Sequence, residues 1–177
     1  MMHTREACLL IGRYLLLILI PLGNMALLSA VLAPLTIAAS FWCIQAMYGS
    51  AMLLGTNTIF FKGYYASIIS ACVAITAYYL LIVLNLTTPM SLKKRLCSLV
   101  FSLGLFFALN VTRITVFARL FERGYDYFSL AHELTWYFGS TVLVILVWFV
   151  TVFVCQIKDI PLYTDVSTLL TEIRGKG

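Results

Sequence analysis

The stretch ASIISACVAITAYYLLIVLNL, Ala66 to Leu86, runs 21 residues without a charged side chain, with Lys62-Gly63 before it and Thr87-Thr88-Pro89 after it. About 20 consecutive apolar residues is what an α-helix needs to cross the hydrocarbon core of a bilayer. In lipid the backbone must satisfy its own polar groups, so such a run reads as a helix. Working outward, Leu96 to Phe117 repeats the pattern with a single charge, Arg113, and Ala131 to Cys155 has His132 and Glu133 at its start and no charge after them. Upstream, Tyr14 to Leu54 carries no charge either and is about twice the length of one crossing. That region predicts two helices or a helical hairpin, with Pro21, Gly23-Asn24 and Pro34 as candidate breaks and Pro34 nearest the middle. The fold class that follows is all-α: a polytopic transmembrane helical bundle of about five spans, four to six, forming a single membrane domain over 1–177.

Composition agrees. Of the 177 residues 62% are apolar and 11% charged, and the mean hydropathy is +0.99. Disorder, a collagen-like repeat and a disulfide-stapled secreted fold are excluded on that basis. A net charge of +5 would point a soluble protein toward nucleic acid, but here the basic residues lie mostly between apolar blocks, as membrane flanks do. No nucleic-acid partner is expected. The cysteines, Cys8, Cys43, Cys72, Cys97 and Cys155, are widely spaced with no C-x-x-C pair, so neither a metal site nor a disulfide framework is indicated. Arg5 and Arg13 before the run Tyr14–Ile20 resemble a signal peptide, yet apolar sequence continues to Leu54, which favours an uncleaved segment.

Gly55 to Tyr65 predicts a polar connection, with Tyr64-Tyr65 as an interfacial anchor. Ser91-Leu-Lys-Lys-Arg95 is the densest basic cluster, and in the linker Arg119–Leu130 the charges of Arg119, Glu122, Arg123 and Asp126 cancel. In the tail, 156–177, Val166, Leu169, Leu170 and Ile173 recur at helical spacing opposite Asp165, Glu172 and Arg174, which predicts a short amphipathic helix on the membrane surface. The excess of basic residues in cytoplasmic loops places Lys93-Lys94-Arg95 inside. The start of the third span, the end of the fourth and the start of the fifth then face outside. Two crossings within 14–53 would send Arg5 and Arg13 outside too, against the same rule. No internal repeat or inverted pair of broken helices supports a transporter.

Polar residues inside the spans are few. Arg113 is costly in a membrane helix, by roughly 2.5 to 3.5 kcal/mol at its centre, so it either snorkels from near a boundary or serves a site. Asn110, three residues earlier, shares its helix face and supports the second reading. His132 and Glu133 open the fifth span at the membrane level of Arg113. His132 is the one histidine besides His3, and its side chain is the natural general acid or base near neutral pH. Cys72, alone, would read as a small inert hydrophobe. It lies at the same end as Arg113 and His132, however, and a cation beside a thiol favours the reactive thiolate. Thiol, guanidinium and imidazole together predict acyl transfer. Cys72 would attack, Arg113 would hold the thiolate or the oxyanion, and His132 would protonate the leaving amine.

Cys72 in Ser-Ala-Cys-Val-Ala-Ile, Arg113 in Asn-Val-Thr-Arg-Ile and His132 in Ala-His-Glu resemble, in that order on successive spans, the exosortase and archaeosortase family of polytopic prokaryotic membrane proteins. The resemblance covers residues 66–155, the catalytic core spans. It implies a cysteine transpeptidase with Cys72 as nucleophile, Arg113 as essential cation and His132 as third catalytic residue, with Asn110 and Glu133 supporting. It implies no cofactor. Implied substrates are proteins ending in a short motif, a transmembrane helix and a basic tail, cut outside the plasma membrane and passed to an acceptor such as a lipid amine. Many members carry Ser-Gly after the cysteine, where this chain has Val73-Ala74. The competing expectation is a non-catalytic membrane subunit or assembly partner in which Arg113 and Glu133 form a structural ion pair.

Overall fold

The computed structural model describes residues 25–157. Helix α1, Ala26–Tyr48, leads into a three-stranded antiparallel sheet of β1 (Ala51–Leu54), β2 (Thr58–Phe61) and β3 (Tyr64–Ser67). A short helix α2 (Ser70–Val73) is followed by α3 (Ile75–Thr87), the long α4 (Leu92–Glu122) and α5 (Phe128–Leu134). A π-helical turn, Thr135–Gly139, then joins α5 to α6, Ser140–Val154. Four helical stretches are long and apolar enough to cross a membrane: Ala26–Tyr48, Ser70–Thr87, Leu92–Glu122 and Phe128–Val154.

Sequence reading expected about five spans. The difference falls upstream of the third one. Pro34 does not mark a turn; it lies inside α1, which runs on to a left-handed Gly49 whose N–H caps Gln45 O at 2.8 Å. Residues 51–67, expected to hold the end of one helix, a polar connection and the start of the next, are strands instead, so the next span begins at Ser70. The fold is therefore mostly helical with a small sheet, not all-α. Residues 14–24, which would carry the other expected crossing, and the expected tail helix at 166–174 lie outside the described residues.

The sheet has a local cause. Lys62 (φ 46°) and Gly63 (φ 86°) both take positive φ, as a two-residue type I′ hairpin turn requires. This pairs Phe61 with Tyr64 and continues through Phe60↔Tyr65, Ile59↔Ala66 and Thr58↔Ser67. Ile59 and Phe61 then point inward and are fully buried, beside Ile44 of α1, Ile68, Val73 and Ala118 of α4. A second core joins α3, α4 and α6 through Tyr78, Leu81, Phe106, Val144 and Val147.

Polar ties link the helices inside these cores. Asn85 on α3 is fully buried; it donates to Ser102 Oγ at 3.2 Å and accepts from Ser98 Oγ, both on α4. Every side-chain polar atom of that asparagine thus has a partner, as burial in an apolar bundle demands. At one end of the bundle Glu122 receives Lys62 Nζ and Tyr48 Oη, each at 3.3 Å, which gathers α1, the sheet and the end of α4. At the opposite end Arg95 donates to Thr88 O at 3.1 Å and Lys94 to Gln156 O at 3.0 Å.

Candidate functional site

Cys72 belongs to α2, which is a single turn because Ala74 adopts left-handed backbone angles (φ 57°, ψ 44°) and separates α2 from α3. The break frees carbonyls that a continuous helix would have bonded four residues on. Two side chains of α4 meet them. Asn110, fully buried, donates through Nδ2 to Cys72 O at 3.0 Å and Val73 O at 3.4 Å. Arg113 donates through Nη2 to Cys72 O at 3.4 Å and through Nη1 to Ser140 Oγ at 2.9 Å. The three-residue spacing of Asn110 and Arg113 is what lets both reach one carbonyl.

Arg113, His132 and Glu133 line one cleft of about 480 Å³, walled by β3, α4, α5 and the π turn. His132, exposed, sits on α5 between two rings: Phe117 edge-on at 5.3 Å and Phe128 nearly parallel at 5.6 Å. These contacts fix the imidazole plane from α4 and α5 together. Glu133 faces the cleft but makes no ion pair with Arg113; among the described residues the single ion pair is Lys62–Glu122. The expected structural Arg113–Glu133 pair is thus replaced by the bonds of Arg113 to Ser140 and to the Cys72 carbonyl.

Cys72 is half-buried and its side chain packs against the core of Ile44, Ile59 and Phe61, while its neighbours Ile69 and Ala71 line the cleft. Of the five residues expected from sequence, Arg113, His132 and Glu133 therefore meet in the cleft, and Asn110 and Arg113 hold the Cys72 backbone beside it.

Two further residues escaped the sequence reading. Ser140, the first residue of α6, takes one arm of Arg113. Its signal was a lone serine after Gly139, easily passed over in an apolar run. Tyr78 is 1% exposed, stands edge-on to Phe106 at 4.8 Å, and its hydroxyl has no partner among the described residues, nor has Asn110 Oδ1. No group of His, Cys, Asp and Glu among the described residues is spaced to hold a metal ion. Compared with known protein families, curated proteins and solved structures, the chain matches none.

Proposed function

We propose that this chain is a membrane-embedded cysteine peptidase or transpeptidase of the exosortase and archaeosortase type. The observation that carries the reading is the grip of Asn110 and Arg113 on the Cys72 carbonyl, at the edge of a cleft that also holds an imidazole and a carboxylate. A segment fixed by one buried donor, Asn110, and one half-buried donor, Arg113, is the preorganised support that a nucleophile needs.

In the proposed reaction the Cys72 side chain turns about χ1 from the core toward the cleft, one staggered well to another. His132 takes the Cys72 thiol proton, the thiolate attacks a peptide carbonyl, and a C–S bond forms as the C=O π pair moves onto oxygen. Arg113, already desolvated on one side, stabilises the oxyanion. The C–N bond breaks as His132 gives its proton to the leaving amine, and an acceptor amine or water then releases the acyl group and returns the thiolate. The cut faces outward from a prokaryotic plasma membrane, because the Lys93-Lys94-Arg95 cluster lies at the other end of the bundle. Substrates are surface proteins with a C-terminal motif, membrane helix and basic tail, whose tail would meet the same inner surface.

Replacing Cys72 by Ala in cells that also hold a tail-anchored partner tests this: the partner is expected to keep its C-terminal helix. Unchanged processing, with the variant still in the membrane, overturns the reading. One observation favours a second reading, a structural subunit: Arg113 ties α4 to both α2 and α6. That role predicts loss of assembly in Arg113→Ala and no effect of Cys72→Ala.

A further inference from the structure

The strand order is β1-β2-β3, so among the described residues β3 has a free edge. Which of its backbone groups point off that edge follows from the register. Ile68 donates its N–H to Asn57 O at 2.8 Å and accepts Asn57 Nδ2 at 3.3 Å, so both of its backbone groups face β2. At the other end the type I′ turn closes on Phe61↔Tyr64, which makes Tyr64 face β2 as well. Antiparallel backbones alternate with period two. Ala66 therefore faces β2, while Tyr65 and Ser67 turn their N–H and C=O groups outward.

Tyr65, Ala66, Ser67 and Ile68 all line the cleft that holds Arg113 and His132. Residues of both alternations of the strand line it, as expected of a cleft that runs along the strand edge. One wall of the cleft thus presents the backbone groups of Tyr65 and Ser67, without a backbone partner among the described residues, at a spacing of ~6.8 Å. The same cleft holds the Arg113 guanidinium, which has no carboxylate partner among the described residues. From Ser67 the chain reaches Cys72 in five residues (72 − 67).

We infer that β3 is a docking strand: an extended peptide segment of the substrate pairs with the outward groups of Tyr65 and Ser67, adding a fourth strand and laying its next carbonyl oxygen toward Arg113. This rests on the peptidase reading above and specifies how its substrate is held. A peptide supplies alternating N–H and C=O at the strand repeat, which neither an acyl chain nor a lipid headgroup does. The charge also fits, since the partial negative charge of a carbonyl, and the full charge of an oxyanion, meets the unpaired cation.

The test is residue-resolved hydrogen exchange on the full-length protein in detergent, with and without a library of capped hexapeptides. Binding peptides are expected to slow the Tyr65 and Ser67 amides together, by about tenfold or more, and to leave Ala66 and Ile68, already bonded within the sheet, unchanged. If no peptide slows both amides, strand docking is wrong. Ser67→Pro removes one outward donor at a position where an edge strand tolerates proline, and is expected to weaken peptide binding by about five- to tenfold. Binding undiminished in a folded Ser67→Pro protein also overturns the inference; if that variant does not fold, exchange in the wild type decides. Cys72→Ala separates the two claims. Amide protection that persists in that variant, alongside continued processing, keeps the docking strand and removes the thiol chemistry. Thiol-dependent processing without protection does the reverse.

Discussion

Arg113 donates to Cys72 O and Ser140 Oγ at once, a task suited to the rigid fork of a guanidinium and poorly to an ammonium on a flexible stem. Arg113→Lys is therefore expected to lower the rate of partner processing by about 10²-fold, the size of losing one preorganised donor at an oxyanion. Near-normal rates in that variant would reduce Arg113 to a point charge. Ala74 carries a different lesson. It occupies the left-handed region at φ 57°, which costs a non-glycine residue roughly 1–2 kcal/mol. Ala74→Gly removes that strain at some cost in unfolded-chain entropy. The net expectation is a stabilisation of about 0.5–1 kcal/mol, read as a raised thermal midpoint in detergent; a lowered midpoint would contradict it. The shared face of Asn110 and Arg113 was legible, because polar groups in an apolar helix at three-residue spacing stand one above the other. Their target was not. A main-chain carbonyl freed by one left-handed alanine leaves no mark in a sequence of apolar letters.

At the scale of elements, the clearest local device is the π turn at Thr135–Gly139, which directly precedes Ser140 and so sets the angle at which its hydroxyl meets Arg113. A Cβ at Gly139 would stand 2.7 Å from Thr135 Cγ2, on a short branched side chain with little freedom to yield. Gly139→Ala should disturb this turn, cutting processing together with a stability loss of about 1–3 kcal/mol. Paired with Thr135→Ser, which deletes the obstructing methyl, it should recover most of both; no recovery would place the defect elsewhere. The sheet shows why sequence reading stopped short. Thr58-Ile-Phe-Phe61 and Tyr64-Tyr-Ala-Ser67 are short apolar runs, and periodicity alone does not distinguish such runs from helix ends. Lys62-Gly63 between them is the available signal: a polar connection by composition, a hairpin turn by its two positive φ angles. Pro34 misled in the opposite direction. Within a membrane helix a proline is tolerated where neighbours satisfy the freed carbonyl, so it need not end the segment.

For the whole molecule, the apolar runs downstream of Tyr65 foretold the membrane-scale helices to within a few residues at most ends, because length and absence of charge suffice there. Cleft and basic cluster lie at opposite ends of the bundle, with Lys62 bonded to Glu122 at one and Lys94 to Gln156 at the other. In a cysteine-free background, Lys62→Cys is expected to react with an impermeant maleimide added to intact cells, and Lys94→Cys only after the membrane is opened. The reverse pattern would invert the proposed orientation. The central claim, an activated thiol at Cys72, can be tested without any substrate. Cys43 and Cys97 present more surface than the half-buried Cys72, so surface exposure alone ranks Cys72 behind them. The measurement is the alkylation rate of each cysteine by iodoacetamide, resolved by mass spectrometry, in the wild type and in Arg113→Ala. Cys72 is expected to react fastest, with its lead erased in Arg113→Ala; a Cys72 that reacts in the order of its exposure, indifferent to Arg113, means that its thiol is not activated.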